Sequence, residues 1–164
     1  MKNLLKLITE IKNCVNKQMV YPALFMSLSI PDICGKMKYV ELSGNKKCKQ
    51  RYIQWYEQYV DKRLHPIYES NPDLERANDF DSKACYELRC ALLHAGTTDI
   101  GKEIDLDSFT IDFDPHLSGV LLRTDPSIVL NKQFEWEVRN SIYIKAILLI
   151  NSILEGVEAF IKEL

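Results

Sequence analysis

The sequence predicts a mainly α-helical bundle of about five helices, with a long C-terminal helix and a small β-hairpin insertion. Three features carry this reading. Apolar residues recur at three- and four-residue spacing near both ends of the chain, an aromatic stripe repeats at helical spacing in its first half, and a stretch after residue 105 alternates with period two. With 164 residues the chain is long enough for one hydrophobic core and short for two, so residues 1–164 are read as a single domain, with the hairpin inserted at about 105–130.

The first helix is expected from Leu4 to about Gln18, where Leu4, Leu7, Ile8, Ile11 and Val15 form one apolar stripe. The segment Met1 to Ile8 starts like a signal peptide but meets Glu10, Lys12 and Lys17 before any sustained apolar run develops. A second helix is expected from Ala23 to Ile30, opened by Pro22 and closed by Pro31, because the residue before proline is pushed away from helical angles. Asp32 then stands where a cap for the next short turn belongs.

From Lys36 to Arg51 the chain carries six cations, Lys36, Lys38, Lys46, Lys47, Lys49 and Arg51, against the single acid Glu41. Two readings stay open here: a solvated loop and helix start, or a phosphate-facing patch built on Lys46, Lys47, Lys49 and Arg51. A nucleotide site would need a glycine-rich loop, whereas Gly35 and Gly44 are isolated. Tyr52, Trp55, Tyr56 and Tyr59 follow at i, i+3, i+4 and i+7, the spacing of a buried helix face, although such rings also serve as base-stacking platforms. Pro66 to Asp81 reads as an acidic connecting loop, and Asp81 or Ser82 as the cap of the helix that stops at Gly96.

Beyond Gly96, Ser108 to Phe113 alternates with period two and Gly119 to Thr124 is a second β-like run, so the two are expected to pair as a hairpin. Phe134, Val138, Ile142, Ala146, Leu149, Ile153, Val157 and Phe160 then mark a stripe read as one helix from about Lys132 to Leu164, about 45 Å long. Its apolar middle, Ile142 to Leu154, contains Lys145 and Asn151 and is too short to span a bilayer. A cytosolic protein without a membrane segment is expected.

Charge and metal-ligating residues narrow the chemistry. A formal net charge of −2 argues against wrapping nucleic acid by bulk electrostatics, so any such role must be local. The five cysteines, Cys14, Cys34, Cys48, Cys85 and Cys90, include no pair at zinc-knuckle spacing. His65, His94 and His116 stand apart from one another and from the cysteines, so no metal and no cofactor is expected.

The segment from Leu88 through Arg89, Cys90, Ala91, Leu92, Leu93 and His94 to Ala95 and Gly96 carries the strongest functional signal. On an ideal helix turning about 100° per residue, Cys85, Leu88 and Leu92 share a core-facing side, while Arg89 and His94 lie about 140° apart and bracket Tyr86, Cys90 and Leu93. A second apolar face implies a second packing partner, most simply another copy of the chain, with Tyr86, Cys90 and Leu93 at the seam.

This segment resembles the signature of HEPN domains, small helical bundles that dimerise and carry an Arg and a His separated by four to six intervening residues near the end of a buried helix. The local match covers about ten residues, at the shortest of those spacings. The resemblance implies a homodimer acting on RNA as a metal-independent endoribonuclease in a toxin or defence setting, where an antitoxin or other protein is a partner. The ribose 2′-hydroxyl would attack the adjacent phosphorus, with His94 in an acid/base role and Arg89 stabilising the phosphate. One position departs from the pattern: Cys90 stands where many members carry a polar residue such as Asn. The alternative is therefore a non-catalytic HEPN-like dimerisation module.

Overall fold

The structure is a computed structural model that describes residues 1–64, 80–96, 108–114, 122–123, 127–130, 136–139 and 141–164. It is mainly helical. Helix α1 (Lys2–Asn16) buries Leu4, Ile8 and Ile11, the stripe expected of it, and ends two residues before the predicted boundary. Gln18 takes a left-handed φ of 58°, and the Met19 amide turns back to the Cys14 carbonyl at 2.8 Å, which ends the helix without a glycine.

Two boundaries differ from the sequence reading. Helix α2 runs over Val20–Ser27, and α3 over Ile30–Lys38 with Pro31 inside its first turn. Pro31 therefore opens a helix instead of closing one, since its missing N–H falls where no intrahelical acceptor exists. Ser29 takes the N-cap position, and Asp32 lies in the first turn of α3 with its side chain free to reach another helix.

A 3-10 turn, Asn45–Lys47, leads into α4 (Cys48–Tyr56), which widens through Glu57–Asp61 and ends in a last α-turn, Lys62–Leu64. Tyr52, Trp55, Tyr56 and Tyr59 are all buried, so the aromatic stripe is core and not a stacking platform. Trp55 and Tyr59 stack at 5.2 Å, and Phe160 meets both edge-on at 6.2 and 5.5 Å. Two glycines allow this packing. A Cβ on Gly35 would lie 2.7 Å from the Arg51 carbonyl oxygen, and one on Gly156 2.7 Å from that of Tyr59, so α3 lies against the α4 backbone and the last helix against its continuation, Glu57–Asp61.

Helix α5 (Ser82–Cys90) carries the Arg–His segment, and α6 (Ala146–Lys162) closes the bundle. At 17 residues α6 is about 25 Å long, not 45 Å, because the residues ahead of it are strands. The order is β1 (Ser108–Asp112), β2 (Leu122–Arg123), β3 (Ser127–Leu130), β4 (Trp136–Arg139) and β5 (Ser141–Lys145). A hairpin is present, but it is β3 with β4, Ser127 opposite Arg139 and Leu130 opposite Trp136. The two runs expected to pair with each other flank β5 instead: β1 lies parallel to it, Phe109 beside Ile142, and β2 lies antiparallel, Arg123 beside Ile142. The physical reason lies in β5, where Ile142 and Ile144 are buried and Tyr143 and Lys145 half-buried, a period-two pattern inside a stretch that also fits helical spacing.

One cluster of buried side chains extends from Leu4 to Phe160 and draws on all six helices together with β1 and β5. Among the described residues no helix is long and apolar enough to cross a membrane.

Candidate functional site

Helix α5 is fixed at its start by Asp81, whose Oδ1 accepts the Ala84 amide at 2.7 Å. It is held along its length by the burial of Ala84, Cys85, Leu88, Ala91 and Leu92. It stops at Gly96, φ 62°, the left-handed residue that ends it as expected. Between Cys90 and Gly96 the helix is not regular: Ala91–Ala95 form a π turn. Such a turn hydrogen-bonds residues five apart, so it brings a side chain over the one five positions earlier. Arg89 and His94 have that separation.

The consequence is contact where an ideal helix would keep the two residues on different sides. Arg89 Nη1 lies 2.9 Å from His94 Nε2. The other guanidinium nitrogen, Nη2, forms an ion pair with Asp32 Oδ2 at 2.6 Å, between side chains 20% and 25% exposed. Nη1 also lies 3.8 Å from the Cys90 sulfur, and Nε is buried without a hydrogen-bond partner. Burial works against the charge on Arg89, but the Asp32 carboxylate and Cys90 outweigh it and raise its pKa above the ordinary arginine value.

Arginine has only donors, so the hydrogen bond requires a lone pair on His94 Nε2. Nε2 can accept there only in the ring form that carries its proton on Nδ1. His94 itself is exposed, at the outer end of the helix. An anchored cation and the imidazole of an exposed histidine thus meet at one point, an arrangement able to hold an anion and, once Nε2 leaves Nη1, to accept a proton from a group bound beside it.

Asp32 is the member the sequence reading missed. The dipeptide Pro31-Asp32 carries a helix-start signal that accounts for the acid locally, and nothing in the chain order announces that α3 and α5, each packed on α4, bring Asp32 within reach of Arg89.

The residues placed at a dimer seam, Tyr86, Cys90 and Leu93, are each half-buried. Tyr86 already has neighbours in its own chain: the Tyr52 ring meets it edge-on at 5.3 Å, and Lys49 Nζ sits 5.3 Å from its centroid. Burial and the adjacent Cys90 push the Tyr86 hydroxyl up to about 12. The basic stretch does not act as one surface. Lys46 and Lys47 are exposed in the 3-10 turn, while Lys49 pairs with Glu87 at 3.0 Å. Arg51 is buried and donates to the carbonyls of Leu42 and Gly44 and to the Cys48 sulfur, which ties down the loop ahead of α4. Lys38 pairs with Glu163 at 3.3 Å and with the Tyr59 hydroxyl.

His65 and His116 lie outside the described residues. Among those described, no group of three or more His, Cys, Asp or Glu is placed to hold a metal ion, and all five cysteines are free thiols. Comparison with known proteins adds no relative: no family model fits the chain, and no curated protein or solved structure matches it.

Proposed function

We propose that the protein is a HEPN-like, metal-independent endoribonuclease acting as a homodimer, with Arg89 and His94 as its catalytic residues. The observation that carries this reading is the 2.9 Å contact between Arg89 Nη1 and His94 Nε2 at the exposed end of α5, with Arg89 anchored from behind by Asp32. The π turn supports it as well, since this irregularity is what makes a five-residue separation productive.

In the proposed reaction Arg89 stays in place on Asp32, a phosphate oxygen takes the Nη1 donor, and the exposed His94 ring swings off it, which frees the Nε2 lone pair. The ribose 2′-oxygen forms a bond to phosphorus as its proton passes to Nε2. The bond from phosphorus to the 5′-oxygen breaks, and the imidazolium returns its proton to that oxygen. The products are a 2′,3′-cyclic phosphate and a 5′-hydroxyl, and no metal enters the balance. The guanidinium stabilises the charge that builds on the phosphorane.

The test is cleavage of a mixed RNA panel by purified protein in excess chelator. The expected result is cleavage with cyclic-phosphate ends, abolished in His94→Ala and in Arg89→Ala. Intact RNA under all conditions would overturn the reading. A second reading, a non-catalytic dimerisation module, draws on the internal neutralisation of Arg89 by Asp32, which makes the pair self-sufficient without a ligand. It expects Arg89→Ala to weaken dimerisation or folding in sedimentation, whereas the enzyme reading expects an intact dimer that is inactive.

A further inference from the structure

The ion pair between α3 and α5 does more than neutralise an arginine. Asp32 is held by the first turn of α3, and Gly35, one turn further on, keeps that helix against the α4 backbone. Its carboxylate takes one end of the Arg89 guanidinium, and a planar guanidinium held at Nη2 has its Nη1 direction set. That direction points at His94 Nε2.

We propose that Asp32 is a positioning residue that selects the tautomer of His94, acting through Arg89 so that Nδ1 carries the proton and Nε2 presents a lone pair. This deepens the ribonuclease reading, on which its catalytic meaning rests, by giving His94 the role of base at Nε2 in the first step. A free imidazole side chain favours the opposite form, with the proton on Nε2, so the Nδ1–H form needs a donor aimed at Nε2. Arg89 supplies that donor, and without Asp32 its Nη1 loses a fixed direction.

Among the described residues, the titratable groups that face the pair include Tyr86 and Cys90 on α5 itself and Tyr52 on α4, with Lys49 of α4 beside Tyr86. Lys49 is paired with Glu87, and Tyr86 is held protonated well above neutral pH. The Cys90 sulfur lies 3.8 Å from the same Nη1, and sulfur is a weak acceptor, so it competes poorly for that donor. Among the described residues, Asp32 is the carboxylate paired with the guanidinium.

The experiment is long-range 1H–15N correlation of the histidine rings in the free protein at mildly alkaline pH, with the His94→Ala spectrum assigning the signal among the three histidines. Wild type is expected to show His94 mainly as the Nδ1–H form. In Asp32→Ala the Nδ1–H form becomes the minority species, and Asp32→Glu restores part of it. If the alanine variant is unfolded by circular dichroism, Asp32→Asn gives the same reading with the shape retained. A wild-type His94 protonated on Nε2, or a tautomer unchanged in folded Asp32 variants, would overturn the proposal. Against RNA, kcat/KM of Asp32→Ala is expected to fall by about ten- to a hundredfold, the cost typical of losing a group that orients a functional side chain. The two proposals fail separately: wild type that shows the tautomer but leaves RNA intact removes the ribonuclease, and cleavage without the tautomer removes the role of Asp32.

Discussion

Replacing Gly35 with alanine tests the packing on which Asp32 depends. In an open helix the change would stabilise, because alanine is favoured over glycine by about 1 kcal/mol in a helix interior. Here the added Cβ would meet the Arg51 carbonyl oxygen at 2.7 Å and the Arg51 carbonyl carbon and Cβ at 3.1 and 3.2 Å. Ordinary contact begins near 3.4 Å, so α3 must move about 0.7 Å away from α4, and the obstacle is backbone of a buried helix, which does not swing aside. A gap of that size forfeits a quarter to a half of the dispersion energy along the seam, where Ile30, Cys34 and Tyr52 are fully buried. Overpacking of this kind costs about 2–3 kcal/mol, which exceeds the propensity gain and leaves Gly35→Ala less stable by about 1–2 kcal/mol. For a chain of this length that lowers Tm by roughly 2–8 °C. Thermal and urea unfolding followed by circular dichroism measure it. An unchanged or raised Tm would refute the claim that close helix approach, and not chance, puts glycine at this position.

Three further outcomes follow from the same structure. Asp81→Ala removes the acceptor for the Ala84 amide and is expected to cost about 0.5–2 kcal/mol in urea unfolding, with Asp81→Asn losing less. Burial pushes the thiols of Cys34 and Cys85 from 9.0 up to about 12. Raised folded-state values mean that these thiols favour the native state fully below pH 9 and that this contribution is lost between about pH 9 and 12, as the unfolded thiols ionise first. Stability should therefore fall steeply over that range, with the buried Tyr52 and Tyr56 hydroxyls, also raised by burial, acting in the same direction. Native protein at pH 8 should label quickly with a thiol reagent at Cys14, Cys48 and Cys90 only; equal rates at all five would refute the burial argument.

Much of the bundle was legible in the chain because helical burial leaves a one-dimensional trace. Leu4, Ile8 and Ile11, then Tyr52 to Tyr59, then Leu149 to Phe160 announce their faces by spacing alone. The β-region was less legible. Ile142 and Ala146 fit both a strand ending and a helix starting, and only the edges that β1 and β2 offer to β5 decide in favour of a strand as far as Lys145. Pro31 was ambiguous in the same way, since proline marks either side of a helix boundary.

What the sequence alone determined is local: the helical class, the position of α5 between Asp81 and Gly96, and the presence of an arginine and a histidine near its end. Those follow from propensity, capping and periodicity, which act over a few residues. What only the tertiary structure decided is the relation between them. The π turn that closes the gap from Arg89 to His94 and the approach of α3 that delivers Asp32 to the guanidinium depend on how helices far apart in sequence pack. Packing is a property of the whole core, so the acid that completes the site could not be read from its neighbours in the chain.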